Sequence, residues 1–257
     1  MGASPLNVEL EKDGALLRLR LSRPKANIVD AAMIAALRSA LREHLPGARL
    51  RAVLLEAEGP HFSFGASVEE HLPGSCAAML HELHALLLTL VASPVPVLVA
   101  IRGQCLGGGL EVAAAGHLIF AAPGATLGQP EIKLAVFAPA ASCLLPERIG
   151  PSRAEDLLFS GRSIGAEEAH RIGLVNALAD DPTAAAIAYF EEHYAPRSAS
   201  SLRFAVRAAR AGVVERIRTK LAEVERLYLE ELMATHDAVE GLTAFIAKRP
   251  AVWWEDR

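Results

Sequence analysis

Two glutamates follow a glycine-rich turn near the middle of the chain. Residues 97–101 are apolar throughout, and Gly107, Gly108 and Gly109 stand shortly before Glu111. This order predicts a buried strand, a tight turn and the start of a helix. The first N–H groups of a helix lack internal partners, and glycine allows close approach to the backbone. The turn could therefore hold an oxygen that gains negative charge.

The second glutamate is Glu131, within Gly128-Gln129-Pro130-Glu131. Two carboxylates beside such a turn could perform acid/base chemistry next to an enolate. Each feature also has an ordinary explanation, because the helix dipole favours Glu111 in a first turn and Glu131 could be a loop charge. The glycines do not fit the GxGxxG spacing of a dinucleotide site. Only the combination supports a catalytic hypothesis.

Composition is that of a globular enzyme. The 257 residues are 52% hydrophobic and 22% charged, which is enough for the core of one large domain. A net charge of -4 argues against a nucleic-acid partner. The longest apolar run, residues 85–101, is interrupted by Ser93, Pro94 and Pro96, so no membrane span is predicted.

The cysteines and histidines suggest neither disulfides nor a metal site. The odd number of cysteines, without CxxC spacing, favours reduced thiols and a cytoplasmic location. His71, His81 and His84 lie close together in sequence, but no third-ligand pattern accompanies them. We expect no metal, and we expect these histidines to be exposed.

The pattern of elements indicates an α/β fold. Residues 7–11 and 15–21 flank a Lys-Asp-Gly turn and predict a hairpin, and Asp30 is a candidate helix N-cap. Strands alternate with helices up to about Pro151, where Ser152 begins an apparent capping box. Helical periodicity then dominates in four long segments, which are residues 183–193, 198–211, 213–233 and 237–248. Because the last three have no strands to lie on, we expect them to pack on another subunit.

Several local motifs occur in an order that resembles the crotonase, or enoyl-CoA hydratase/isomerase, superfamily over nearly the whole chain. The matching pieces are residues 23–27, 62–66, 107–111, 128–131, 160–162, 173–175 and 244–249. The resemblance implies a crotonase-like spiral of ββα units over residues 1–195, which would hold the CoA and acyl site. It also implies a helical trimerisation region over residues 196–257, and a homo-oligomer that is a trimer or a dimer of trimers.

The resemblance also implies a site. The backbone N–H groups of Ala66 and Gly108 would form an oxyanion hole for an acyl-CoA thioester, and Glu111 and Glu131 would be the catalytic carboxylates. Coenzyme A would be part of the substrate, so no separate cofactor is expected. The residues implied to bind substrate are Lys25, Phe62, Phe64, Gly65, Gly107, Phe137, Pro139, Phe245 and Lys248. Lys25 would lie near phosphate, and Phe245 and Lys248 would act across a subunit boundary.

Three departures from the family pattern bear on the substrate. Ser67 stands where hydratases usually carry Asp, and Glu69 where Lys is common. Residues 137–142 replace a glycine-rich run, so that Phe137 adds bulk and Pro139 removes a donor. This segment resembles that of hydratases of aromatic compound degradation that act on alicyclic dienoyl-CoA thioesters. The expected reaction is therefore addition of water to a cyclic dienoyl-CoA such as cyclohexa-1,5-diene-1-carbonyl-CoA, or its reverse.

Other functions remain open at this point. An enoyl-CoA isomerase or an acyl-CoA thioesterase would use the same fold. Cys105 lies in a G-x-C-x-G turn typical of a nucleophile elbow, which would suit a Cys-dependent α/β-hydrolase. A non-catalytic scaffold that binds CoA thioesters is the third alternative, although the two retained glutamates argue against it.

Overall fold

The structure, a computed structural model, describes residues 4–254. A six-stranded sheet forms the centre of the fold, and its strands are adjacent in the order β1-β2-β3-β4-β6-β9. The first pair is antiparallel and the other pairs are parallel. The strands are β1 Leu6–Glu11, β2 Leu16–Leu21, β3 Ala52–Ala57, β4 Val97–Ile101, β6 Leu118–Ala121 and β9 Ala177–Leu178.

A second, three-stranded sheet lies beside the glycine turn. Its strands are β5 Gln104–Leu106, β7 Thr126–Gly128 and β8 Ser163–Gly165, and they are adjacent in that order. The ends of β5 and β7 therefore deliver the glycine turn and Glu131 to the same place, because Leu106 pairs with Gly128.

The helices surround these sheets. They are α1 Ala31–His44, α2 Cys76–Val91, α3 Gly108–Ala115, α4 Pro139–Ile149, α5 Pro151–Ser160, α6 Ala166–Arg171, α7 Pro182–Tyr189, α8 Ala199–Arg226 and α9 His236–Ile246. None of those within residues 4–254 combines the length and the apolar character that a membrane crossing needs.

The N-terminal predictions are confirmed. The hairpin forms around a short 3₁₀ turn, and the Asp30 side chain caps α1 by accepting from Met33 N at 2.9 Å. On the wet face of β2, Arg18 and Arg20 hold the buried Glu56 of the adjacent strand. Burial alone would raise the pKa of Glu56, but hydrogen bonds from these arginines and from Thr183 outweigh it and lower the pKa.

Two helix predictions are wrong. Ser152 lies inside α5, because Pro151 already occupies the first helical position. The N-cap is Gly150, which has no side chain that could cap the helix. The segments 198–211 and 213–233 are not separate helices. Helix α8, which is 28 residues long, continues through Gly212 without a break. A glycine inside a helix costs only about 1 kcal/mol. Burial of apolar side chains such as Ile217 and Leu221 along α8 can outweigh that cost.

The C-terminal helices pack on their own chain. Helix α8 contacts α2 and α4, and a π-helical turn, Leu227–Glu231, follows it and carries the buried Tyr228. Helix α9 lies against the 3₁₀ turn Glu131–Leu134, where a Cβ on Gly241 would come within 2.2 Å of Leu134 O. The predicted boundary between residues 1–195 and 196–257 stays a prediction.

Candidate active site

A cavity of about 350 Å³ opens where the glycine turn, the segment after β7 and helix α9 meet. It brings together most of the residues that the sequence resemblance implied. Those that line it are Phe64, Gly65, Ala66, Gly107, Gly108, Glu111, Glu131, Phe137, Pro139 and Phe245. Aliphatic side chains complete the wall, and they are Val68, Leu80, Leu83, Leu134, Val136 and Leu242.

The two predicted N–H donors lie side by side on this cavity. Within residues 4–254, neither Ala66 N nor Gly108 N donates to a protein acceptor. A Cβ on Gly108 would lie 3.1 Å from Ala66 N, so glycine is what allows the two strands of backbone to approach. Gly108 is also the first residue of α3, where an N–H has no intrahelical partner. Two N–H groups placed in this way could serve as a two-donor oxyanion site.

Glu111 projects from the first turn of α3 into a closed environment. The residue is 3% exposed, and Ala141 N donates to its Oε1 at 2.8 Å. Burial raises the pKa of Glu111, and backbone hydrogen bonds from Ala141 and Ala140 only partly offset this. The start of helix α4 thus fixes the orientation of this carboxylate.

Glu131 begins the 3₁₀ turn Glu131–Leu134 and also lines the cavity. With its amide nitrogen inward, the buried Gln129 donates to both Glu131 carboxylate oxygens at 3.1 and 3.0 Å. Burial and the charge of Glu111 together raise the pKa of Glu131 to about 8. Each carboxylate disfavours ionisation of the other, so that once one has ionised, the other holds its proton more strongly.

The glycine turn also shapes the pocket of Glu131. Gly107 has φ +50, and a Cβ there would lie 2.6 Å from Glu131 Oε1. Any larger residue would displace the carboxylate.

Three residues implied to bind substrate do not line the cavity. Phe62 is 1% exposed and belongs to the hydrophobic core. Lys25 and Lys248 are exposed, the former beside Ser67 and Glu70 and the latter after the end of α9. Phe245 was expected to serve a neighbouring subunit, but in the single chain it lines its own cavity.

The expectation of exposed histidines is wrong at two positions. His71 lines the cavity, its Nδ1 lies 2.7 Å from Ser67 O, and burial lowers its pKa. His84 is 3% exposed and pairs with Glu225 of α8. Leucines three or four residues away on α2 line the cavity or the core, and this periodicity was the available signal for His84. No group of three potential metal-ligating side chains occurs within residues 4–254.

Cys105 is placed poorly for a nucleophile. It lies within β5, is fully buried in the core, and burial raises the pKa of its thiol. A reactive cysteine needs access and a lowered pKa. The geometry therefore does not favour the Cys-dependent hydrolase.

Known proteins similar to this chain match it over nearly its whole length. The family model described as enoyl-CoA hydratase/isomerase matches residues 11–257. The chain is 70% identical over 251 residues to a cyclohexa-1,5-dienecarbonyl-CoA hydratase of Thauera aromatica, with 98% of this chain and 97% of the relative covered.

Solved structures agree in fold. An enoyl-CoA hydratase/isomerase from Pseudoalteromonas atlantica is 26% identical with a TM-score of 0.84, covering 97% of this chain and all of the other. An enoyl-CoA hydratase from Mycobacterium avium subsp. paratuberculosis is 22% identical with a TM-score of 0.85, covering 99% of this chain and 100% of the other. The fold is thus the predicted crotonase-like one, and the chain belongs to the enoyl-CoA hydratase/isomerase family.

Proposed function

We propose that this protein is a hydro-lyase that adds water to a cyclic dienoyl-CoA thioester, such as cyclohexa-1,5-diene-1-carbonyl-CoA, or removes it in the reverse direction. The observation that carries the proposal is a pair of glutamates, the buried Glu111 and the half-buried Glu131, on one cavity. The same cavity presents the N–H groups of Ala66 and Gly108, which have no protein acceptor among residues 4–254. The similarity to the Thauera aromatica hydratase supports the choice of acyl group.

The thioester carbonyl oxygen would bind between Ala66 N and Gly108 N. When water adds to the conjugated double bond, negative charge moves onto this oxygen, and donors fixed by backbone geometry stabilise it without reorganisation. Removal of one donor of this kind typically raises the barrier by about 3 kcal/mol. The oxyanion site therefore supports formation of the enolate.

Proton transfer would be divided between the two glutamates. We assign Glu111 to orient the water and accept its proton, since Ala141 N and Ala140 N favour the ionised form of this carboxylate. Glu131, whose proton is retained more strongly, would deliver a proton to carbon. The roles exchange in the dehydration direction, because the forward and reverse reactions share one transition state.

The wall of the cavity suits a flat apolar ring. Phe137 and Pro139 line the cavity together with Leu80, Leu83 and other aliphatic side chains, and its charged or polar side chains are the two glutamates, His71 and Lys133. An aromatic wall can lie against a six-membered ring, whereas a long straight chain would need a deeper channel.

CoA would enter as part of the substrate, and the proposal requires no separate cofactor. Phe64 and Phe245 are 43% and 56% exposed at the cavity, where they could contact the thioester arm and the adenine. We propose that the exposed Lys25 and Lys248 approach the phosphates by charge. We also propose that the enzyme acts in the cytoplasm, where its three free cysteines stay reduced.

The test is to incubate the purified protein separately with the cyclic dienoyl-CoA and with crotonyl-CoA. We expect a gain of one water by mass with the cyclic substrate and much slower reaction with crotonyl-CoA. A strong preference for crotonyl-CoA would refute the cyclic assignment. A double-bond shift without mass gain would indicate an isomerase, release of free CoA a thioesterase, and binding without turnover a scaffold.

A further inference from the structure

Tyr228 carries a hydroxyl group that the fold itself does not use. The side chain is 0% exposed, and its hydroxyl has no hydrogen-bond partner among residues 4–254. It is carried by the π-helical turn Leu227–Glu231, which interrupts the helical path after α8. The other two tyrosines, Tyr189 and Tyr194, belong to a separate hydrophobic cluster around Leu16 and Phe190.

The ring of Tyr228 lies directly behind the wall of the acyl site. It packs edge to face on Phe137, with ring centroids 5.2 Å apart, and Phe137 lines the cavity. Burial raises the pKa of Tyr228, and the charges of Cys76, Glu131 and Glu111 raise it further. Both catalytic carboxylates therefore lie within electrostatic reach of this hydroxyl.

A hydroxyl in this position is unfavourable for the folded state alone. Leaving a buried donor without a partner destabilises the folded state, and a phenylalanine of the same shape would avoid that cost. Phe137 is half-buried and lies on the short segment between the 3₁₀ turn and α4, so the ring of one residue separates Tyr228 from the cavity that Phe137 lines. A shift of this ring on entry of an acyl group would give the hydroxyl access to the site.

We propose that Tyr228 is a positioning residue of this active site, whose hydroxyl donates a hydrogen bond to the oxygen of the reacting water and to the hydroxyl group that this oxygen becomes in the product. A water held by Glu111 and Glu131 directs its two O–H groups to the carboxylates. One lone pair attacks carbon, and the other is free to accept from Tyr228. The donor is neutral and stays protonated throughout, so no further proton transfer is involved.

The inference rests on the proposed hydratase function, and the first experiment separates the two. Turnover of the cyclic dienoyl-CoA is measured for the wild type, for Tyr228→Phe and for Tyr194→Phe, a matched loss of a hydroxyl remote from the cavity. Failure of the wild type to hydrate the substrate would reject the function. We expect kcat/KM of Tyr228→Phe to fall about 10- to 100-fold, as for loss of a strong hydrogen bond in the transition state. Tyr194→Phe should behave as wild type.

A second measurement does not depend on turnover. Affinities are compared for the hydroxylated product and for the same thioester without its hydroxyl group. The wild type and Tyr194→Phe should prefer the hydroxylated ligand, and Tyr228→Phe should lose this preference. In the wild type labelled with 3-fluorotyrosine, the Tyr228 fluorine resonance should shift with the hydroxylated ligand alone.

The structural alternative gives the opposite result. If Tyr228 only fills space, Tyr228→Phe should melt at the same or a higher temperature and keep wild-type kinetics, because it removes an unpaired hydroxyl. Activity within twofold of wild type, together with an unchanged preference for the hydroxylated ligand, would overturn the inference. Should the variant fold poorly, the fluorine shift in the labelled wild type decides the question.

Discussion

At the scale of single residues, the environments of Glu111 and Glu131 determine when the site can work. Burial raises the pKa values of both, and the charge of Glu111 further raises that of Glu131. A pair that holds one proton contains both an acid and a base at the same time. The same burial that creates this pair also makes it costly for the fold.

The pH profile should reflect the pair. We expect kcat/KM to be bell-shaped, with an acidic limb near neutral pH rather than near pH 4.5, since the base must first ionise in a buried site. Activity should fall again when the second carboxyl group loses its proton, above its raised pKa of about 8. Initial rates at low substrate between pH 5 and 10 test this, and an acidic limb at pH 4–5 would contradict it.

Replacement of either glutamate should separate catalysis from binding. Glu111→Gln and Glu131→Gln keep the size of the side chain but cannot transfer a proton, so we expect a loss of about two to four decades in kcat. The affinity for the thioester should change little, because the oxyanion donors and the apolar wall remain. Single-turnover rates and ligand titration provide the measurements, and near-normal hydration by both variants would reject the assignment.

The stability of Glu131→Gln should change in the opposite direction from its activity. A raised folded-state pKa favours folding while the group is protonated, and this advantage is lost as pH rises from about 4.5 to about 8. The neutral glutamine avoids that loss. We expect Glu131→Gln to melt on the order of 5 °C above wild type at pH 8, with a smaller difference at pH 5. An equal increase in melting temperature at both pH values would show that the cost of burying Glu131 does not come from its ionisation.

How far sequence predicts individual residues depends on distance along the chain. Glu111 and Gly108 share one short motif, and both line the same cavity. Tyr228 lies far from that motif in sequence and reaches the region only through tertiary packing, so no local pattern marks it. Phe62 shows the limit of such motifs. It belongs to the family-like motif of residues 62–66, but its ring lies in the hydrophobic core and does not line the cavity.

At the scale of elements, the turn before α3 is the part that tolerates least change. A Cβ on Gly107 would meet Glu131 Oε1 and would also strain a backbone with φ +50. We expect Gly107→Ala to remain folded but to lose at least about tenfold in kcat, because misplacement of a catalytic group by a fraction of an ångström is costly. Circular dichroism and steady-state rates are the measurements.

Gly74→Ala is the matched control for this change. Gly74 also has a positive φ, of +102, but a Cβ there meets nothing within 4 Å. It should therefore show a similar backbone strain without loss of rate. Equal losses of activity in both variants would attribute the effect to general destabilisation.

The elements that sequence patterns located well are those with local signals. Turn residues and apolar runs placed β1 and β2 close to their observed bounds, and an N-cap located the start of α1. Helix α8 was divided wrongly at Gly212 because a local preference predicted an end there. Its continuity depends on tertiary contacts with α2 and α4, which propensity does not contain.

At the scale of the whole molecule, part of α8 still lacks a cover in the single chain. Phe204 is 64% exposed beside a groove of about 460 Å³ between α8 and the end of α2, lined also by Val206 and Val214. We expect this face to lie against other copies, in a trimer or a dimer of trimers. Sedimentation at micromolar concentration should give the mass of three or of six chains, each of 27.3 kDa. Phe204→Glu should lower that mass, and a wild-type monomer would remove the prediction.

Leu242 and Phe245 of α9 line the cavity, and all its other lining residues come from positions 64–139 of the sequence. During synthesis, a nascent chain with every catalytic residue already translated would still lack this last wall while α9 remained in the ribosomal tunnel. Such a chain should have no competent thioester site. Products of premature termination before α9 would then neither compete for CoA esters in the cell nor release reactive intermediates.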